Sequence, residues 1–396
     1  MSTQCSVYIH FPFCLRRCAY CDFCSSENRL NLSPRYLRSL EREIEITLDN
    51  KNLPHNFSSV YFGGGTPSLI PPEGIKDILK KIIRSSDVQK IEEITVEVNP
   101  GSINDGYFEK LFQTGVNRIS LGMQSALERD LQVLGRIHSH PDTCRTVTEA
   151  RTAGFSNISL DLIYGIPYQT LGDWKTILEK TLELQPAHIS AYALTLDENV
   201  PMAQKIRAGI LPPLDDDLMA DMYQEVETVL EKNGFEHYEI SNWARQPEHA
   251  APLRSRHNMV YWQVEPYFGF GAGAHGNLNQ QRYANSEDID GYIHRMESIH
   301  APYKETFPAA IEINPVSKTE EMQEVMLLGL RLTNHGVCAD DFYERFGVSL
   351  DEQFGERINA LAEKGLLEWA GQQSRIRLTE RGRLLGNQVF MEFVGE

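Results

Sequence analysis

A chain of 396 residues with 41% hydrophobic content can bury one large core and a smaller second one without disulfide staples. Its formal net charge of −17 repels nucleic acid and anionic surfaces, and no run approaches the roughly 20 apolar residues of a membrane span. The segment Met1–His10 lacks the basic flank and cleavage site of a signal peptide, so a cytoplasmic location is expected.

The first strand is expected at Ser6–His10. Behind it comes Cys14-Leu-Arg-Arg-Cys18-Ala-Tyr-Cys21, a C-x3-C-x2-C spacing on one short loop. Of the seven cysteines four fall between positions 14 and 24, which in a reducing compartment points to metal rather than disulfides. Three thiolates so placed can each take one iron of a cubane [4Fe-4S] cluster and leave the fourth iron to a small molecule. Zinc, which prefers two paired hooks, is the alternative. Cys24 offers a fourth thiolate that would close the open iron. It is read as a spectator because it lies beyond the three-ligand loop. Cys5, Cys144 and Cys338 stand alone and are expected as small buried side chains.

A helix over Pro34–Asp49 leads to a strand at Ser59–Phe62, followed by Gly63-Gly64-Gly65-Thr66-Pro67. Glycines there let the backbone approach a ligand, although an ordinary turn explains them equally well. A helix at Pro72–Ser85 and strands at Ile94–Val98, Arg118–Leu121, Asn157–Leu162 and His188–Ala193 continue the alternation. Strands and helices repeating about every thirty residues read as βα units around a parallel sheet. Six units are too few for a closed eight-stranded barrel. The expected class is therefore α/β, an open partial (β/α)6 barrel with ligands at the strands' C-terminal ends. Glu97, Gln124 and Asp161 fall at or just after such ends, and Arg136 in the helical region that follows. Singly each is more often a satisfied polar group; together they form a candidate polar rim. A carboxylate there suits hydroxyls or an ammonium, and the arginine suits a carboxylate.

Pro212-Pro213 and Asp215–Asp217 mark a loop and a helix start. A helix (Leu218–Asn233), a strand (Glu236–Ser241) and the unusual segment Arg256–Gly276 follow. Ala301–Lys318, with Pro302, Pro308 and Pro315, reads as a linker. Helices at Glu320–Thr333, Ala339–Phe346 and Leu350–Lys364, with a hairpin at Gly365–Trp369 and Arg375–Leu378, suggest a winged-helix-like α+β domain. From Ala301 onward it has 10 Lys+Arg against 16 Asp+Glu, which argues against DNA binding. The expected organisation is a barrel over 1–240, a distinct segment over 241–300 and a C-terminal domain over 301–396.

The cysteine loop directly after a first strand resembles the signature of the radical-SAM superfamily. That implies a [4Fe-4S] cluster on Cys14, Cys18 and Cys21, with S-adenosylmethionine (SAM) on its open iron. Tyr8–Cys21, the glycine loop, Glu97-Val-Asn-Pro100, Leu121-Gly-Met-Gln-Ser125 and Asp161-Leu-Ile-Tyr-Gly-Ile-Pro167 look like the coproporphyrinogen III oxidase-like family, over nearly the whole chain. The resemblance implies that Tyr8, Tyr20, Gly64, Gly65, Thr66, Glu97, Gln124, Arg136 and Asp161 line the SAM site. Anaerobic coproporphyrinogen dehydrogenases of that family carry a long extension before the cysteines, whereas thirteen residues precede Cys14 here. They also carry a further cysteine where Phe23 stands.

Ser255-Arg-His257-Asn258-Met-Val-Tyr261-Trp262 contains H-N-x-x-Y-W. With Tyr267-Phe-Gly-Phe-Gly-Ala-Gly-Ala-His275-Gly276 it looks like the family's HemW-type heme chaperones. Those usually have Asp-Phe-Asn after the third cysteine, where this chain has Asp22-Phe23-Cys24. An imidazole can ligate heme iron, an indole can cover a macrocycle, and Arg254 and Arg256 can pair with propionates. The plainer reading puts Tyr261 and Trp262 in a core and makes His257 a satisfied polar group. The resemblance implies a protein that binds heme, with His257 and Trp262 as candidate contacts, and passes it to acceptor proteins. Cluster and SAM would regulate or accompany transfer through oligomerisation, with a homodimer as the expected assembly. The alternatives are an oxygen-independent coproporphyrinogen III dehydrogenase, using a 5′-deoxyadenosyl radical, and a radical-SAM enzyme that modifies heme.

Overall fold

A computed structural model describes residues 4–86, 91–247, 251–303, 305–372 and 374–394. The chain forms two compact units, Met1–Glu225 with Pro266–Asn314, and Val226–Glu265 with Pro315–Glu396.

In the first unit six strands run parallel: β1 (Gln4–Phe11), β2 (Asn56–Gly64), β3 (Glu93–Val98), β4 (Arg118–Gln124), β5 (Asn157–Tyr164) and β6 (His188–Ala193). They pair in chain order, which is the expected (β/α)6 arrangement. Period-two alternation across aligned strands explains the two faces of this sheet. Val7, Val60, Val96, Ile119, Leu160 and Ile189 are buried on one face, the one that apolar helix stripes such as Ile75, Ile78 and Ile82 can cover. On the other, register partners are polar: Tyr8 aligns with Tyr61, Tyr61 with Thr95, Glu97 with Ser120, Ser120 with Ser159, and Asp161 with Ser190.

The sheet extends beyond β1. Tyr267–Phe270 pairs with it in parallel, and His275–Leu278, Gln281–Asn285 and Ala310–Pro315 continue outward. The segment Arg256–Gly276 therefore has two fates. Arg256–Trp262 is a helix of the second unit, and Tyr267 begins a strand of the first. Phe268 and Phe270, buried at alternate positions on either side of a buried Gly269, are that strand's signature, hidden in sequence by the surrounding glycines. The stretch 241–300 is accordingly shared between units, and Ala301–Lys318, read as a linker, contains an edge strand. Position 304 within it lies outside the described residues.

In the second unit, helices Lys318–Gly329, Ala339–Phe346 and Leu350–Glu363 pack around Met326, Phe342, Phe346, Phe354 and Ile358. Ser317 with Glu320, and Ser349 with Glu352, form capping boxes that set two of the helix starts. The hairpin Leu367–Ala370 with Arg375–Leu378 gains a third strand, Val337–Cys338, giving the expected wing. Helices Glu380–Leu384 and Gly386–Met391 follow it. Elsewhere boundaries move by a few residues: the first long helix is Ser33–Leu48 and the one before the strand Phe235–Glu239 is Asp216–Lys232. Cys5 is buried as expected, whereas Cys144 and Cys338 are half-buried.

Candidate cluster and cofactor site

Backbone contacts hold the cysteine loop. Ser26 N–H donates to Pro12 O at 2.7 Å, closing its base beside the short parallel pairing of Phe13–Cys14 with Ser26–Glu27. At its far side Ala19 N–H donates to Leu134 O (3.0 Å), and Ala19 O accepts from Met202 N–H (2.9 Å). Gly65 is required by proximity: a Cβ there would lie 2.8 Å from Phe13 O and 2.9 Å from Cys14 Sγ. Burial lifts the Cys14 thiol above its ordinary pKa, opposed by the Thr66 hydroxyl at 3.5 Å, while the thiols of Cys21 and Cys18 add to the rise. Burial likewise lifts Cys21, against a hydrogen bond from the Phe23 backbone. The three thiols thus share one loop within electrostatic reach. Among the described residues no three His, Cys, Asp or Glu side chains form a ready metal cage. Cys24 turns elsewhere. Its Sγ lies 3.7 Å from Glu287 O and 4.0 Å from Ala272 O, and burial with the Glu287 charge pushes it to about 11.

A second group converges on the same loop. Arg136 Nη1 donates to Asn99 Oδ1 at 2.8 Å, and Asn99 Nδ2 donates to Thr66 Oγ1 at 3.0 Å. Tyr20 hydrogen-bonds to the same guanidinium, which opposes the upward push of burial on its phenol. Gln124 joins them because β4 loses register after Leu121, leaving Gln124 at φ 62°. Gly122 makes the room: a Cβ there would lie 3.0 Å from Asn99 Oδ1 and Gln124 Nε2, and 3.1 Å from Arg136 Nη2. Asn99, within the Glu97–Pro100 stretch, is a site residue that the strand-end carboxylates and amide alone do not reveal. A polar residue just past a strand end was the available signal.

The remaining expected residues line the polar face of the sheet. His10 Nε2 lies 2.7 Å from Cys24 O and so carries the proton there, leaving Nδ1 to accept from the Tyr8 hydroxyl at 3.0 Å. Tyr61 donates to Glu97 Oε1 at 2.8 Å, and Gly64 N–H also donates to that carboxyl. Burial raises Glu97 to about 7, with Asp161 adding to the rise and Tyr61 and Arg118 opposing it. Asp161 is also raised by burial, against hydroxyls that include Ser120 at 2.9 Å. Arg118, 2% exposed, lowers both and was read from sequence only as the start of a strand.

His257 and Trp262 stand in the other unit. Ser255 caps their helix, its Oγ accepting Asn258 N–H at 3.3 Å. His257 is 1% exposed, and its Nε2 lies 2.8 Å from the Tyr261 hydroxyl. Trp262 is half-buried, with the Arg331 guanidinium carbon 4.5 Å from its ring centroid. Arg254, a propionate candidate, is bound in fork geometry to Glu236.

Residues 8–181 match the Radical SAM superfamily, and residues 316–385 the HemN C-terminal domain. Heme chaperone HemW of Bacillus subtilis is 36% identical over 99% of both chains. HemW of Lactococcus lactis is also 36% identical, over 98% of this chain and 97% of its own. The mitochondrial radical S-adenosyl methionine domain-containing protein 1 of Danio rerio is 33% identical over 90% of this chain and 80% of its own. The solved radical-SAM coproporphyrinogen III oxidase (HemN) of Escherichia coli superposes with a TM-score of 0.82 at 21% identity, covering 99% of this chain and 90% of that one. At that identity the likeness concerns the fold.

Proposed function

The chain belongs to the HemW family of radical-SAM proteins, and from that premise we propose that it is a heme chaperone that binds heme and passes it to acceptor proteins. Full-length similarity to heme chaperones, rather than to the radical-SAM portion alone, carries this reading. The family implies a [4Fe-4S] cluster and SAM. The donor set fits them: three thiols on one loop, a thiol-facing hydroxyl at Thr66, Arg136 within electrostatic reach of Cys18 and Cys21, and Glu97 accepting from the Gly64 backbone. Cys14, Cys18 and Cys21 would hold the cluster, whose fourth iron supplies a binding position for SAM. Tyr8, Tyr20, Gly64, Gly65, Thr66, Glu97, Gln124, Arg136 and Asp161 would surround SAM. His257 and Trp262 belong to the proposed heme contacts. Cytoplasmic residence and assembly as a homodimer complete the proposal. No described helix is long and apolar enough to cross a membrane.

The test is anaerobic incubation of the reconstituted protein with SAM and reductant, first with coproporphyrinogen III and then with heme. Heme should be bound, kept chemically intact and delivered to an apo-hemoprotein, with coproporphyrinogen unchanged. Protoporphyrinogen formation, or no heme binding by wild type, overturns the reading.

A further inference from the structure

The helix that carries Trp262 has a cation stacked on it that the H-N-x-x-Y-W pattern does not include. Arg331, which follows helix Lys318–Gly329, places its guanidinium carbon 4.5 Å from the Trp262 ring centroid and 5.7 Å from that of Phe390. Stacking accounts for its planar face but not for its edge. Among the described residues Arg331 makes no ion pair, and its Nε is buried without a hydrogen-bond partner. The indole Nε1 of Trp262 is buried and unpartnered too. The carboxylate that feels the Arg331 charge is Glu239, which is 0% exposed; its Oε1 is taken by Asn242 and its Oε2 has no partner. Burial raises that carboxyl despite Arg331, which weakens Glu239 as a counter-ion.

Arg331 is half-buried, so a ligand can meet the outer edge of its guanidinium, and a cation stacked on an indole without an ion-pair partner suits an incoming acceptor. A carboxylate meets the need: it is negative, planar, and accepts through two oxygens in a guanidinium's fork. A propionate-bearing macrocycle joins that group to an apolar plate, which is what an indole can cover. We propose that Arg331 anchors a carboxylate of the ligand that binds at Trp262, the role Arg254 cannot take while paired to Glu236. This rests on the heme-chaperone reading and names the chain's own residue for ligand recognition.

Wild type, Arg331→Met and Arg331→Lys are titrated anaerobically with heme and with heme dimethyl ester, whose carboxylates are capped, in the same dilute detergent. Soret absorbance and tryptophan fluorescence report binding, and circular dichroism reports folding. Wild type should prefer heme over the diester by at least about tenfold. Arg331→Met should lose that preference while binding the diester as wild type does, and Arg331→Lys should keep part of it. Equal wild-type affinity for the two ligands overturns the proposal, and does so even if Arg331→Met fails to fold. So does an Arg331→Met protein that keeps its preference, loses both ligands equally, or gains affinity for both. A wild type that binds neither ligand instead sinks the heme-chaperone reading itself.

Discussion

Arg136 and Cys14 stand at the two ends of one hydrogen-bonded line. The guanidinium donates to Asn99 at 2.8 Å, Asn99 to Thr66 at 3.0 Å, and Thr66 to the Cys14 thiol at 3.5 Å. The line joins the turn after helix Glu128–Leu134, the end of β3, the glycine loop after β2 and the cysteine loop. Its positive end lies away from the thiol and its donor end toward it, an arrangement that opposes the rise burial gives the Cys14 thiol.

Asn99 is the link whose loss is easiest to read. Asn99→Ala leaves Arg136 and Thr66 without each other while keeping all three thiols. A hydrogen bond to a charged group is worth about 1.5–3 kcal/mol, so SAM affinity should fall roughly ten- to hundredfold. Equilibrium dialysis of reconstituted protein measures it, alongside iron content. Unchanged SAM affinity would mean the line only holds the loop in place.

Cys24 provides a contrast with the other thiols. Its Sγ faces the Ala272 and Glu287 carbonyls. Cys24→Ala should therefore retain a reducible cluster whose EPR signal still changes on adding SAM. Cys18→Ala should lose the cluster chromophore. Equal loss in both variants would make Cys24 a ligand.

The six parallel strands were legible because each is a short apolar run with polar residues at every second position, followed by a helix. The cysteine loop was legible because three ligands lie within eight residues of one another. Asn99 and Arg118 were not, because their roles come from partners brought in by the fold: Arg136 is 37 residues beyond Asn99, and Arg118 acts on Glu97 and Asp161 across neighbouring strands. Tyr267–Phe270 was obscured for another reason. Its glycines break the apolar run that marks a strand, and Gly269 is needed there because a Cβ would meet His275 O at 1.9 Å. H-N-x-x-Y-W was legible as a motif, but its covering by Arg331 was not, since nothing local links positions 262 and 331.

Glu43 gives the first unit a pH-dependent stability. The carboxyl accepts from Tyr292 (2.6 Å), Asn285 (2.7 Å) and Gly271 N–H (2.8 Å), yet burial outweighs them and raises it from 4.5 to about 7. Between those two values the folded chain keeps a proton that the unfolded chain has released. Its stabilising contribution is thus fully present below about 4.5 and is lost as pH rises through about 7. Glu43→Gln cannot titrate. Relative to wild type it should gain about 2 kcal/mol between pH 5.5 and 8, at roughly 1.4 kcal/mol per pH unit over the interval below 7. Urea unfolding of both proteins at the two pH values tests this. A constant difference would show that the buried carboxyl is ionised throughout.

Trp262 and His257 should separate stacking from ligation. Trp262 is half-buried with Arg331 on its ring, and the opposite indole face is the plate a macrocycle would cover, so Trp262→Ala should weaken heme binding by about 1–3 kcal/mol, roughly five- to hundredfold. His257 differs: it is 1% exposed, and its Nε2 is held at 2.8 Å by the Tyr261 hydroxyl on the same helix. Iron ligation through that nitrogen would require the hydrogen bond to open and the imidazole to turn outward. His257→Ala should therefore leave the Soret maximum in place, with a modest loss of affinity from the loosened helix. Tyr261→Phe, which removes that hydrogen bond, is the complementary variant and should also leave the maximum unmoved. Absorption and magnetic circular dichroism spectra of the heme complexes decide the matter. A Soret band that shifts in His257→Ala and recovers in no other variant would make this imidazole an axial ligand, and the helix would then have to rearrange around Tyr261 when heme arrives.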